Sequence, residues 1–311
     1  MKILVTGSDG MLGKAFRHVS REYPQFEFIF STRKDTDLTN SDQVKSMYST
    51  HNPDYVIHTA ALCGGIGGNE RRQADYYYQN ILMNSYIIHF ASKFRVKKLL
   101  ASSSTCVFPR DLDSFIESDM HLGPPHDNHF AYAYAKRMLD VQMLAYKRQY
   151  GVNYTSLVSG NVFGPHDNYD LADGHVTPSL MHKFYLADKQ NTDVSIWGDG
   201  SAEREFIYSF DLARIYLELL KLDEVLPSKI LLGSDNKMKI KDLVNHMKEI
   251  SNFKNKIIFD TTQTNGQIKK KSDISLLKSL LPDFKYTDFR ESLSDSYEWL
   301  KSNYPNVRGI K

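Results

Sequence analysis

Tyr132 and Lys136 lie four residues apart in the stretch FAYAYAKRM, residues 130–138. On a helix, positions i and i+4 share a face, so the phenol and the ammonium would stand side by side, with Tyr134 turned away. A lysine ammonium beside a phenol lowers the phenol pKa, which is what a proton-transfer device requires. In a chain with 19 tyrosines the same spacing also arises as an exposed tyrosine near an exposed lysine. About 30 residues upstream, hydroxyls and a thiol cluster in Ser102-Ser103-Ser104-Thr105-Cys106. A third device is Gly7-x-x-Gly10-x-x-Gly13, which directly follows the apolar run Lys2 to Thr6. Glycines placed so bring backbone N–H groups to a helix N-terminus, where a pyrophosphate can bind.

These groups need elements to position them. Strands are expected at Lys2–Thr6, Phe26–Ser31, Tyr55–His58, Val96–Ser102 and Tyr154–Val158. Helical patterns fill the spaces between, at Met11–Ser20, Ser41–Ser49, Ala74–Phe94 and Ala131–Tyr150. Strands alternating with helices imply an α/β fold with a doubly wound parallel sheet of the Rossmann kind. Such a sheet places ligands at the carboxyl ends of its strands. The hydroxyl and thiol cluster after the fourth strand falls at such an end, as do the glycine turn and Thr59-Ala60-Ala61. Tyr132 and Lys136 then open the following helix, and the order Ser, Tyr, Lys on this fold reads as a hydride-transfer set. After Gly164 the pattern loosens. Residues 1–164 are expected to form the dinucleotide-binding domain. Residues 165–311 are expected to form mainly a smaller α/β substrate domain, with some segments returning to the first sheet.

The second strand ends in Ser31-Thr32-Arg33-Lys34. An acid at that place would hold a ribose 2′-hydroxyl, whereas cations suit the 2′-phosphate of NADP. Asp35 and Asp37 follow closely, and Asp37-Leu38 is placed to flank an adenine.

Composition narrows the class. The 311 residues are 41% hydrophobic and 24% charged, ordinary for a globular protein. The net charge of +2, from 39 basic and 37 acidic residues, gives no sign of a nucleic-acid partner. Two cysteines, Cys63 and Cys106, exclude a disulfide scaffold and suit a reducing compartment. No signal peptide and no apolar run near the ~18 residues of a membrane span are visible, so a cytoplasmic protein without a membrane partner is expected. No metal site is expected.

Long motifs in a fixed order carry a resemblance: ILVTGSDGMLGKA, STCVFP, GPPH, YAYAKRMLDVQ, GNVFGPHDNY, DGHVTP, IWGDGSAEREFIYSFDLA, FDTTQTNGQIKK and LPDF. Through them nearly the whole chain resembles the extended short-chain dehydrogenases/reductases. More closely it resembles the GDP-L-fucose synthases, particularly the animal form. These are 3,5-epimerase/4-reductases of GDP-4-keto-6-deoxy-mannose. The resemblance implies NADP as cofactor, a GDP-linked 4-keto-6-deoxy sugar as substrate and a homodimer seamed by Ala74–Phe94 and Ala131–Tyr150. It assigns Ser104, Tyr132 and Lys136 to reduction, and Cys106 and His175 to epimerisation. It lays the cofactor against Gly7, Gly10, Met11, Leu12 and Gly13, then Arg33, Leu38, Ala60, Ala61, Lys136, Asn161 and His175. It places the sugar nucleotide against Asn161, Lys183, Trp197, Arg204 and Lys270, with Lys269 and Lys271 solvated. Cys63 is expected only to let the chain pass near the cofactor. The 4-keto group acidifies the protons on C3 and C5, and a thiol and an imidazole, with ordinary pKa values near ~8.5 and ~6.5, can exchange them near neutrality.

Two stretches depart from the family. Ser159-Gly160 stands where Pro-Thr is usual, and GGIGGNERRQ is rich in glycine. Two other functions fit parts of the pattern: a C4-reductase of another nucleotide-linked 4-keto sugar, and a catalytically silent NADP-sensing protein.

Overall fold

The computed structural model describes residues 1–262 and 271–310. The strands, in chain order, are β1 (Lys2–Thr6), β2 (Glu27–Ser31), β3 (Tyr55–His58), β4 (Lys98–Ser104), β5 (Ser114–Phe115), β6 (Asn153–Ser159), β7 (Asn161–Phe163), β8 (Val194–Trp197), β9 (Glu203–Tyr208), β10 (Lys229–Leu232), β11 (Lys237–Lys239), β12 (Ile257–Asp260) and β13 (Lys271–Ser272). The helices are α1 (Met11–Val19), α2 (Ser41–His51), α3 (Ile66–Arg71), α4 (Gln73–Lys93), α5 (Phe130–Tyr150), α6 (Val176–Gln190), α7 (Ser209–Lys221), α8 (Ile240–Ile250), α9 (Ser275–Leu280) and α10 (Phe289–Asn303).

The main sheet has six parallel strands in the order β10-β6-β4-β3-β1-β2. Burial on both faces explains why β1 is apolar without alternation. Ile3 and Val5 face one core with Phe16 and Val19 of α1 and Leu212 and Tyr216 of α7. Leu4 faces the other, with Val44 of α2, Ile87 of α4 and Leu139 of α5. The strand β1 lies between β2 and β3, so the order of travel reverses there. A crevice opens at such a reversal, beyond the carboxyl ends of the strands.

The α7–β10 segment returns to this sheet from beyond residue 164, with α7 packed on α1 and β10 paired to β6. Conversely, β7 leaves it before that point and pairs with β9, which pairs with β11. A second core forms around Phe163, Phe184, Ile196, Phe206, Leu243 and Leu293.

Candidate active site

The carboxyl ends of β1, β2, β3, β4 and β6 open into one cavity of about 1120 Å³. Its floor is the glycine turn. Gly7 adopts φ +74°, and a Cβ there would lie 2.6 Å from the Ala60 nitrogen. At Gly13 a Cβ would lie 2.4 Å from Ser8 Cα. Both therefore need to be glycine, for backbone conformation at the first and close packing at the second. Gly10 N-caps α1 without a side-chain hydrogen bond, and Met11, Leu12 and Gly13 line the cavity. Free N–H groups at a helix N-terminus, in a glycine cradle, fit a pyrophosphate.

Arg33 and Leu38 line the same cavity beyond β2, and Ala60 and Ala61 line it beyond β3. The two acids after Arg33 are engaged in their own turn. The Asp35 carboxylate accepts from the Thr32 N–H and hydroxyl at 2.9 and 2.7 Å. Asp37 accepts from the Thr39 N–H and hydroxyl at 3.0 and 2.7 Å. These bonds hold both carboxyls below their usual pKa. Arg33 lines the cavity beside them.

Ser104 ends β4, Cys106 follows within a single turn, and Tyr132 and Lys136 project from the first turns of α5 into the cavity. The Lys136 ammonium donates to the Ser102 carbonyl at 2.9 Å and lies 5.9 Å from the centre of the Tyr132 ring. Lys136 is 1% exposed. Burial pushes its pKa down to about 8, against the upward pull of Cys63 and Cys106. The lowered phenol pKa expected from the i, i+4 spacing is not found. Burial raises Tyr132 well above its ordinary value, and the two thiols add to the rise. Crowding by protein disfavours the phenolate, so Tyr132 stands ready as a proton donor. Tyr134 is turned away, exposed, with the Arg137 guanidinium over its ring.

Sequence reasoning missed what lies beneath Lys136. The buried His58 ring bonds the Thr6 hydroxyl through Nδ1 at 2.7 Å and the Asn84 side chain through Nε2 at 3.1 Å. Burial and the Lys136 charge push its pKa down to about 3, so the ring is neutral. Cys63, expected only to let the chain pass near the cofactor, is a free thiol on the cavity wall, while Asp167 and Arg308, which line the cavity with His175, were missed. Neither of the last two sits in a pattern that announces chemistry.

His175 N-caps α6 and reaches the cavity from the second unit. It opens to solvent there, but protein crowds its other sides. That crowding, with the Arg308 charge, lowers its pKa. Asn161 and Arg204 also line the cavity. Asn161 donates to the Glu205 carbonyl at 3.0 Å, and Arg204 donates to the Glu203 carbonyl at 2.7 Å. Lys183 and Trp197 do not line it. They sit together on α6 and β8, with the ammonium 5.3 Å from the ring and donating to the Ser195 carbonyl at 3.0 Å. Trp197 is 58% exposed. Lys270 lies outside the described residues, and Lys271 is exposed at β13. Among the described residues, no group of three or more His, Cys, Asp or Glu could hold a metal ion, and no helix is long and apolar enough to cross a membrane.

Residues 3–233 match the family described as NAD dependent epimerase/dehydratase. The chain is similar to the GDP-L-fucose synthase of Dictyostelium discoideum, 38% identical over 98% of this chain and 97% of that one. It is similar in structure to a GDP-L-fucose synthetase from Naegleria fowleri bound to NADP, with a TM-score of 0.93 and 37% identity over 99% of this chain and 94% of that one. It is also similar to a GDP-mannoheptose C4 reductase from Campylobacter jejuni with NADP bound, with a TM-score of 0.85 and 26% identity over 96% and 98% of the two chains. With the glycine cradle, the parallel sheet and full-length similarity in agreement, the chain belongs to the NAD-dependent epimerase/dehydratase family and, within it, to the GDP-L-fucose synthases.

Proposed function

We propose that this protein converts GDP-4-keto-6-deoxy-D-mannose to GDP-L-fucose, by epimerisation at C3 and C5 followed by NADPH-dependent reduction at C4. One observation carries the reading. A single cavity holds Ser104, Tyr132 and Lys136 together with Cys106 and His175. A reductase needs only the first three.

In the epimerase steps the 4-keto group stabilises the enolate formed when a proton leaves C3 or C5. Cys106, as thiolate, takes the proton from one face. His175 returns one from the other, and the ring must be protonated to do so. In the reductive step Tyr132 gives its phenolic proton to the C4 oxygen, Ser104 donates a hydrogen bond to that oxygen, and the Lys136 ammonium stabilises the phenolate left behind. The glycine turn would hold NADPH, with Arg33 at its 2′-phosphate, and the bound cofactor would supply the hydride. Arg204 and Lys270 serve the GDP diphosphate. Lys183 and Trp197 extend the nucleotide site beyond the cavity, and Asn161 serves the sugar.

Two companion assignments belong to this reading. The protein is a cytoplasmic homodimer, its seam the outer face of α4 and α5. Tyr77, Phe130, Tyr134, Met138 and Val141 are exposed apolar side chains there, which supports a covered surface. The test of function is the product made from GDP-4-keto-6-deoxy-mannose and NADPH. GDP-L-fucose supports the assignment. A product reduced at C4 with C3 and C5 unchanged would leave a C4-reductase, the reading favoured by likeness to the Campylobacter enzyme.

A further inference from the structure

Four lysine and arginine side chains line the cavity among the described residues: Arg33, Lys136, Arg204 and Arg308. The proposed function uses the first three. Arg308 comes from the segment after α10, and its position is built rather than incidental. Val307 is buried in the second core. The Arg308 carbonyl accepts from the Tyr169 N–H at 2.9 Å. Gly309 adopts φ +89°, where a Cβ would meet Asn168 Oδ1 at 2.2 Å and the Asp170 nitrogen at 2.4 Å. The backbone is thus pressed onto the loop 167–170, while the Arg308 side chain is exposed at the cavity wall.

Two charges meet along that loop. Lys14, next after Gly13 in the first turn of α1, acts on His166. Arg308 acts on Asp167, the next residue, and on His175. His166 thus feels the charge that follows the glycine cradle, and Asp167 and His175 feel that of Arg308. The acids nearby leave that guanidinium available. Asp173 is paired with Arg71 at 3.1 Å. Asp167 is 4% exposed, and its Oδ2 has no hydrogen-bond partner. Its burial pushes the carboxyl pKa up to about 7, so near neutrality much of it carries no charge.

We propose that Arg308 is a further ligand-binding residue of the cavity, its guanidinium taking the oxyanions of a nucleotide diphosphate. A guanidinium meets phosphate oxygens through two parallel N–H donors, a geometry lysine does not reproduce. The diphosphate belongs either to the dinucleotide seated on α1 or to the sugar nucleotide. The proposal rests on the function proposed above, and the experiment separates the two.

The affinities of NADPH, NADH and GDP are measured by calorimetry for the parent, Arg308→Gln and Arg308→Lys, with ligand-free melting as a control. If the dinucleotide is the ligand, Arg308→Gln weakens NADPH and NADH by the same factor, about tenfold, and leaves GDP unchanged. If the sugar nucleotide is the ligand, only GDP weakens. In either case Arg308→Lys recovers part of the loss and ligand-free melting stays as in the parent. Unchanged affinities for all three ligands overturn the proposal. So does a loss for all three that tracks a fall in ligand-free melting, which would make the residue a strut of the chain end. A parent that binds neither NADPH nor GDP would instead overturn the function itself, and this proposal with it.

Discussion

The Lys136 ammonium donates to the Ser102 carbonyl at 2.9 Å while lying 5.9 Å from the ring of Tyr132, so one buried cation ties the end of β4 to the proton donor on α5. Burial brings its pKa down to about 8 from the ordinary lysine value of 10.5. C4 reduction should therefore fall as the pH rises through about 8 and the ammonium is lost. Stability should move the other way. Between about 8 and 10.5 the unfolded chain holds a proton on Lys136 that the folded chain has released, so raising the pH favours the fold. The melting temperature of the parent, relative to Lys136→Met, should rise from pH 7 to pH 10. Thermal melts of both proteins across that range check the sign.

Arg33→Ala should weaken NADPH about tenfold or more and leave NADH nearly unchanged, because only the former carries a 2′-phosphate. Fluorescence titration with both cofactors reads the ratio. Equal losses would place Arg33 at a group the two share.

Two glycines of the same cavity should respond oppositely to an added methyl. At Gly7 a Cβ would lie 2.6 Å from the Ala60 backbone at positive φ, so Gly7→Ala should destabilise the fold by about 1–3 kcal/mol and abolish cofactor binding. At Gly160 the nearest atom to a Cβ is the Glu205 oxygen at 4.0 Å, and the backbone needs no glycine. Gly160→Ala should melt within a few degrees of the parent, about ±0.5 kcal/mol, while narrowing the cavity wall. Melting curves with and without NADPH test both.

Much of this was legible in the sequence, and the exceptions have physical causes. The strands β1, β3, β4 and β6 read clearly because each carries a short apolar run buried on both faces of the sheet. The sixth strand of the sheet, β10, did not read as one. It is four residues long and finds its partner in β6, more than 70 residues away. The short strands β7, β9 and β11 form a sheet only through pairing between segments about 30 to 45 residues apart. The contrast repeats in the site. Tyr132 and Lys136 share one helix, and their spacing announces them. His58 beneath Lys136, and Asp167 and Arg308 at the cavity wall, take their places through tertiary packing, from a strand end, a loop and the turn after α10, with no local spacing to mark them. The phenol pKa went the other way for a related reason: spacing shows the neighbouring charge but not the burial that raises the phenol.

Tyr134→Glu, on the outer face of α5, should convert the proposed homodimer to monomer by placing a charge among Phe130, Met138 and Tyr77. Light scattering of the parent and the variant decides it. A parent already monomeric at micromolar concentration would contradict the seam.

The central claim is that one cavity houses two separable proton chemistries, and isotope exchange in D2O tests it most directly. Tyr132→Phe removes the proton donor to the C4 oxygen but leaves Cys106 and His175 in place. It should still wash deuterium into C3 and C5 of GDP-4-keto-6-deoxy-mannose while NADPH oxidation falls by about 10²-fold or more. Cys106→Ser should do the reverse, because a serine hydroxyl is a far weaker base than a thiolate. Exchange should collapse, and slow reduction of the unepimerised sugar should persist. Mass spectrometry of the recovered sugar nucleotide reads both variants. Exchange by Cys106→Ser as fast as by the parent would contradict the account, because the thiol beside Ser104 and Tyr132 would then not be the base.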